Sequence, residues 1–179
     1  MKELTPVVKL TMDLYMNGYY CSEALLRAFN EVYKLGFPED HLKIASGFGS
    51  GLGGAGCSCG TITSGTIVLG IIVGRNKKSE SEEVIHQASK KLHDRFLERN
   101  RVACCRILTR DVEWKSKDHK LKCSKYVQDS AEILEEMLLT DIYQYLPQGG
   151  GKTVPKKNYI KLGITVLWKK LKSLRKVKN

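Results

Sequence analysis

The chain has 179 residues, with 30 Lys and Arg against 19 Asp and Glu and a net charge of +11, long enough for one ordinary domain that buries its own core. The charge is uneven: residues 152–179 carry 10 Lys or Arg and no acid, which leaves 20 basic and 19 acidic residues in 1–151. A near-neutral body without groove-reading or base-stacking motifs excludes a dedicated nucleic-acid binder, so no specific nucleic-acid partner is expected.

The opening stretch MKELTPVVKLTMDLYMNGYY has Glu3 and Asp13 among its apolar residues. It therefore lacks the continuous apolar run of a signal peptide, and a cytoplasmic location is expected. Leu4, Val7, Val8, Leu10, Thr11 and Leu14 recur at helical spacing, and Asn17-Gly18 is a favoured helix stop. A second helix is predicted from about Ser22 to Leu35, with Gly36 past its end, and GFPED restarts a short helix through His41 and Ile44. Then comes Gly47 to Gly70, two dozen uncharged residues that include nine glycines and two cysteines.

Residues 61–73 read as a buried helix, apolar on all sides, although TIVLGIIV is rich in strand formers. RNKKSESEE is an exposed connection. The next helix covers roughly Glu82 to Arg99, with Ile85, Ala88, Leu92 and Phe96 on one face. DVEWKSKDHKLK reads as a polar loop before a fifth helix near Ser124 to Thr140, whose inward face is Val127, Ala131, Leu134 and Leu138.

The expected fold is all-α: a compact bundle of about five or six helices with a glycine-rich loop, followed by a basic amphipathic C-terminal helix. The expected division is a cysteine-containing helical domain over 1–146, a linker over 147–158 marked by Gly, Pro and Lys, and a terminal helix over 159–179. In that last segment Ile160, Ile164, Leu167, Trp168, Leu171 and Leu174 form an apolar stripe, with Lys161, Lys169, Lys170, Lys172 and Arg175 elsewhere. Such a helix suits an anionic membrane surface, an acidic partner, or its own domain.

GLGGAG, Gly51 to Gly56, matches the dinucleotide pattern G-x-G-x-x-G. The pattern needs a hydrophobic strand before it and an acid about twenty residues on, whereas HLKIAS is a poor strand and the first acid after Gly56 is Glu80. Lys43 and Arg75 bracket a stretch of membrane-spanning length, yet only Thr61 to Val73 is mainly apolar, which suits a core helix. Small residues at Gly60, Ser64, Gly65 and Gly70 are expected to let neighbouring helices approach closely.

Six cysteines stand at positions 21, 57, 59, 104, 105 and 123, and in a reducing compartment they point to metal binding or redox chemistry. Cys21, Cys59, the pair Cys104 and Cys105, and Cys123 each stand near a predicted helix start, where unpaired amides favour thiolate. Spacings of 38, 46 and 18 residues along Cys21, Cys59, Cys105 and Cys123 give no local knuckle that would identify zinc. The four histidines include no i, i+4 pair, and no Ser-His-Asp or paired-carboxylate arrangement is evident, so no hydrolytic chemistry is assigned and enzymatic activity stays open.

Four segments, YYCSEALL, SGFGSGLGGAGCSCGTITSG, FLERNRVACCRIL and KCSKYV, resemble the family of redox-active proteins named for their C_GCAxxG_C_C cysteine pattern. The resemblance spans roughly residues 10–140. It implies a small helical redox protein whose quartet Cys21, Cys59, Cys105 and Cys123 binds an iron–sulfur centre, with [2Fe–2S] the expected type, for electron transfer. It favours Cys105 over Cys104 because the pattern there is Cys-Arg-x-Leu, and it leaves Cys57 and Cys104 as additional thiols. The motif's Ala and second Gly appear here as Thr61 and Ser64.

On this reading Gly51, Gly53, Gly54, Gly56 and Gly60 wrap the thiols at close approach. The alternatives are a dithiol/disulfide oxidoreductase that uses the adjacent thiols, and a structural zinc site. The partners expected are a redox protein, a membrane surface or acidic protein met by 159–179, and a second copy of the chain.

Overall fold

The structure, a computed structural model, describes residues 3–147. Among them are seven α-helices and no strand, which bears out the all-α expectation. Helix α1, Pro6–Met16, places proline where its missing N–H costs nothing and ends at Asn17. Helix α2, Cys21–Tyr33, is tied at its start by the Tyr20 backbone N–H donating to Glu23 at 3.0 Å. The left-handed residue that stops it is Lys34, with φ of 51°, rather than the predicted Gly36.

A 3₁₀ segment over Glu39–Phe48 leads into the one-turn α3, Gly49–Leu52, and then α4, Gly60–Val73. α5 covers Glu83–Asn100, α6 is the single turn Cys105–Leu108, and α7 is the longest at Lys117–Thr140. A last 3₁₀ turn, Tyr143–Tyr145, seats Leu146 in the core. The five helices longer than one turn are those expected from the sequence, four from periodicity and α4 from its all-round apolarity.

α4 lies at the centre, packed against α2, α5 and α7, and α1 closes the bundle by lying on α2 and α7. TIVLGIIV is helical despite its strand propensity, because burial among three neighbours rewards a helix that is apolar all round. Leu25, Phe29, Val68, Leu69, Leu92, Phe96, Leu134 and Leu138 are fully buried. Each such side chain stabilises the fold by about 1.5–3 kcal/mol relative to exposure. A Cβ on Gly65 would stand 2.7 Å from Leu92 Cδ2, so this glycine lets α4 and α5 approach closely, whereas Gly70 has no neighbour that requires its smallness.

The predicted start of the last core helix is corrected. α7 begins two turns earlier than Ser124, capped by the Ser116 side chain accepting from the His119 backbone N–H at 3.0 Å. Its first turns are polar because they border a cavity rather than the core, so apolar periodicity begins only near Val127. Among the described residues no helix is long and apolar enough to cross a membrane. The 159–179 helix and all but the first residue of the 147–158 linker lie outside the described residues.

Candidate functional site

Four segments far apart in the chain meet around one cavity of about 360 Å³. Cys21, the first residue of α2, Cys59 before α4, Cys105 at the start of α6 and Cys123 inside α7 all line it. Cys57 is exposed and Cys104 is half-buried, and neither lines the cavity. All six thiols are free.

The choice between Cys104 and Cys105 follows from backbone pairing. Residues 56–59 lie antiparallel to 103–106: the Cys59 N–H donates to the Ala103 carbonyl at 2.8 Å, the Cys105 N–H to that of Cys57, and the Arg106 N–H to that of Gly56 at 2.9 Å. Cys104 has extended φ and ψ of −76° and 118°. Successive side chains of extended backbone point to opposite sides, so only one member of Cys104-Cys105 can face the cavity. Cys105 does, and the Cys104 thiol donates to the Gly56 carbonyl at 3.3 Å.

The glycine-rich turn is left-handed. Ser50, Gly51, Leu52 and Gly53 have φ of 54°, 70°, 63° and 61° in succession. Two of these are not glycine, at about 1–2 kcal/mol each. Hydrogen bonds returning from Gly56 N–H to Ser50 O and from Cys57 N–H to Gly51 O offset that cost, and the turn directs the Ser50 amide at the Cys21 sulfur. Close approach to thiols is confined to two positions. A Cβ on Gly51 would stand 2.7 Å from Cys105 Cβ, and one on Gly60 would stand 2.8 Å from Cys21 Sγ. Gly56 packs against Arg106, while Gly53 and Gly54 touch no thiol, so the expected wrap is narrower than the sequence suggested.

Thr61 is fully buried, with its hydroxyl 3.2 Å from Cys59 Sγ. Ser130 of α7 donates to that hydroxyl at 2.6 Å, which leaves the Thr61 proton free to point at the sulfur. Around Cys123, the Tyr15 hydroxyl donates to the Lys120 carbonyl at 3.1 Å and stands within hydrogen-bonding reach of the thiol. His119 Nε2 lies 3.9 Å from the same sulfur, and its ring meets Trp114 edge-on at 4.6 Å. Nothing local in the sequence marks Tyr15, Ser130 or His119 as a thiol partner.

The expectation of thiolates at helix starts is corrected. Cys123 is seven residues into α7, not at its start. Burial raises all four quartet thiols, Cys105 to about 12 and Cys123 to about 11, and Cys21 and Cys59 also lie above the usual range. Mutual repulsion among the sulfurs adds to this at Cys21, Cys105 and Cys123. The Thr61 hydroxyl and the amides of Thr61 and Ile62 pull Cys59 the other way without prevailing.

Four desolvated sulfurs that repel one another when ionised make a donor set suited to a cationic thiophilic group. Among the described residues, as placed, no three His, Cys, Asp or Glu side chains form a group that could hold one metal ion. The four cysteines line one volume, and thiolate sulfur is a donor for an iron–sulfur cluster and for zinc alike.

The model of the family described as "Putative redox-active protein (C_GCAxxG_C_C)" matches residues 19–137. No curated protein and no solved structure matches the chain.

Proposed function

Since the chain belongs to the C_GCAxxG_C_C family of redox-active proteins, we propose that Cys21, Cys59, Cys105 and Cys123 hold an iron–sulfur cluster of the [2Fe–2S] type and that the protein transfers electrons. The observation that carries this reading is the shared cavity: cysteines up to 102 positions apart line it, while Cys57, two residues from Cys59, and Cys104, next to Cys105, do not. Bound there, the cluster would supply one-electron exchange with a partner.

The chain's own residues supply the setting. The Ser50 amide and the Thr61 hydroxyl sit at the sulfurs of Cys21 and Cys59, where hydrogen bonds favour the ligating thiolate form. Leu108, Val127 and Tyr126 line the inner cavity and limit water. Lys115 and Lys120 line it with no carboxylate among the described lining residues, which suits an acidic redox partner.

Anaerobic reconstitution tests the reading. Two iron and two sulfide per chain, with visible absorption bands and a paramagnetic signal on one-electron reduction, are expected; protein that stays colourless and iron-free overturns it. Exposed Cys57, whose carbonyl accepts from the Cys105 amide, favours a dithiol/disulfide enzyme as the second reading. Alkylation mass spectrometry that finds a reversible Cys57–Cys105 or Cys104–Cys105 disulfide would select it.

A further inference from the structure

A second groove, of about 840 Å³, lies between the start of the chain and the outer face of α7. Its apolar surface includes Leu4 and Leu139, which are 40% and 53% exposed. Glu3, Glu132, Glu135 and Glu136 line it, and Arg99 is the cation among its described lining residues. Arg99 pairs with Glu132 at 2.7 Å, and Arg95, from outside the lining, reaches Glu136 at 3.3 Å, which still leaves the groove net acidic. The thiol cavity has the opposite character, with Lys115 and Lys120 and no carboxylate among its described lining residues.

The same chain carries the complement. Residues 159–179 combine the apolar stripe from Ile160 to Leu174 with seven Lys or Arg and no acid. At about 1.5 Å per residue, a helical stripe of that length covers about 21 Å, close to the roughly 17 Å between Gln128 and Leu139 along α7. Reach is sufficient: Leu139 and Pro147 are eight residues apart and so within about 28 Å, while residues 148–158 extend to about 36 Å.

We propose that residues 159–179 dock in this acidic groove of their own chain, with Leu167, Trp168 and Leu171 over Leu4 and Leu139 and the lysines beside Glu3, Glu132 and Glu136. The basic segment is drawn to the acidic groove and repelled from the lysine-lined mouth of the thiol cavity, so docking leaves that mouth open. Glu135 accepts from Thr5 Oγ1 at 2.6 Å and faces Tyr33, and it serves the body rather than the docked segment.

Zero-length carbodiimide cross-linking of the full chain, as an equal mixture of ¹⁴N and ¹⁵N protein at low salt, tests this. Mass spectrometry is expected to find Lys161, Lys169, Lys170 or Lys172 joined to Glu3, Glu132 or Glu136 within one isotope. The yield to Glu3 should fall at least fivefold in high salt, and again in an E132K/E136K variant, which retains Glu3. Four results overturn the proposal: links of mixed isotope, which assign the groove to a second copy; links to Asp111 or Asp118 instead; yields to Glu3 unchanged by salt; or no such links while the chain floats with phosphatidylserine vesicles.

Discussion

At the N-terminal end of α4, a Cβ on Gly60 would stand 2.8 Å from Cys21 Sγ and 2.8 Å from the Phe48 carbonyl oxygen; ten residues on, Gly70 has nothing within 4 Å of that point. One helix thus carries the same residue type for opposite reasons. At the thiol end, backbone is stripped so that sulfur from another segment can come in, and the polar groups there, Thr61 and Ser130, are buried and bonded to each other. At the far end, Leu69 and Val73 are packed by ordinary side-chain burial, and Gly70 gains nothing from a bare backbone, in contrast to the C-cap Gly74, whose added Cβ would collide with the Gly70 carbonyl oxygen. A substitution therefore reads differently according to which end receives it.

The largest contrast is in the thiols. Cys59→Ser is expected to lower reconstituted iron to under a tenth of wild type, measured per chain by metal analysis. Serine is a favoured residue at the N-cap position Cys59 holds, so circular dichroism should stay helical and iron loss cannot be ascribed to unfolding. Cys57→Ser, at an exposed thiol outside the cavity, should keep its iron. Equal iron in both variants would erase the distinction between lining and non-lining cysteines.

Next in size is Gly60→Ala. The methyl group meets a carbonyl oxygen and a sulfur at 2.8 Å, and relief requires movement of backbone or of Cys21. Overpacking of this kind costs about 1–3 kcal/mol, and urea unfolding monitored by circular dichroism should show it, together with impaired iron uptake. An unchanged midpoint would mean that the two segments separate easily and that close approach is not what the glycine provides.

Both predictions rest on features that sequence reveals to different degrees. Periodicity locates four of the five long helices and unbroken apolarity the fifth, α4, and Val127, Ala131, Leu134 and Leu138 are all fully buried as their spacing implies. The first two turns of α7 look like loop in the sequence because they face a cavity and carry Lys117, Asp118 and Lys120; Ser116 as a cap with Asp118 in the first turn is the local signal of a helix. In the glycine-rich segment composition announced unusual backbone, but left-handed Ser50 and Leu52 belong to residue types that rarely adopt it. That conformation is imposed by the turn as a whole. Tyr15, His119 and Ser130 reach the thiols only through tertiary packing, which no spacing records.

Thr61→Val comes third. It keeps the shape and removes the hydroxyl that accepts from Ser130 and contacts Cys59, so a buried donor on Ser130 loses its partner. About 1–2 kcal/mol of stability should be lost, and Thr61→Val with Ser130→Ala should recover part of it, because removing both partners leaves nothing unsatisfied. Fully additive losses in the double-mutant cycle would show that the two hydroxyls act independently. In metal-free protein, alkylation of Cys59 in Thr61→Val should need higher pH than in wild type, since a group holding its thiol down is gone.

The smallest effect has the opposite sign. Gly70 lies within α4, its φ is helical rather than left-handed, and an added methyl meets nothing within 4 Å. Alanine there removes the extra backbone freedom that glycine has in the unfolded chain, and the helix should gain about 0.5–1 kcal/mol with iron content unchanged. The measurement is the urea midpoint of Gly70→Ala beside Gly60→Ala in the same buffer. If both variants lose stability, α4 needs a small residue at Gly70 as well as at Gly60; if Gly70→Ala gains while Gly60→Ala loses, the need for bare backbone follows what each position faces and not the helix as a whole.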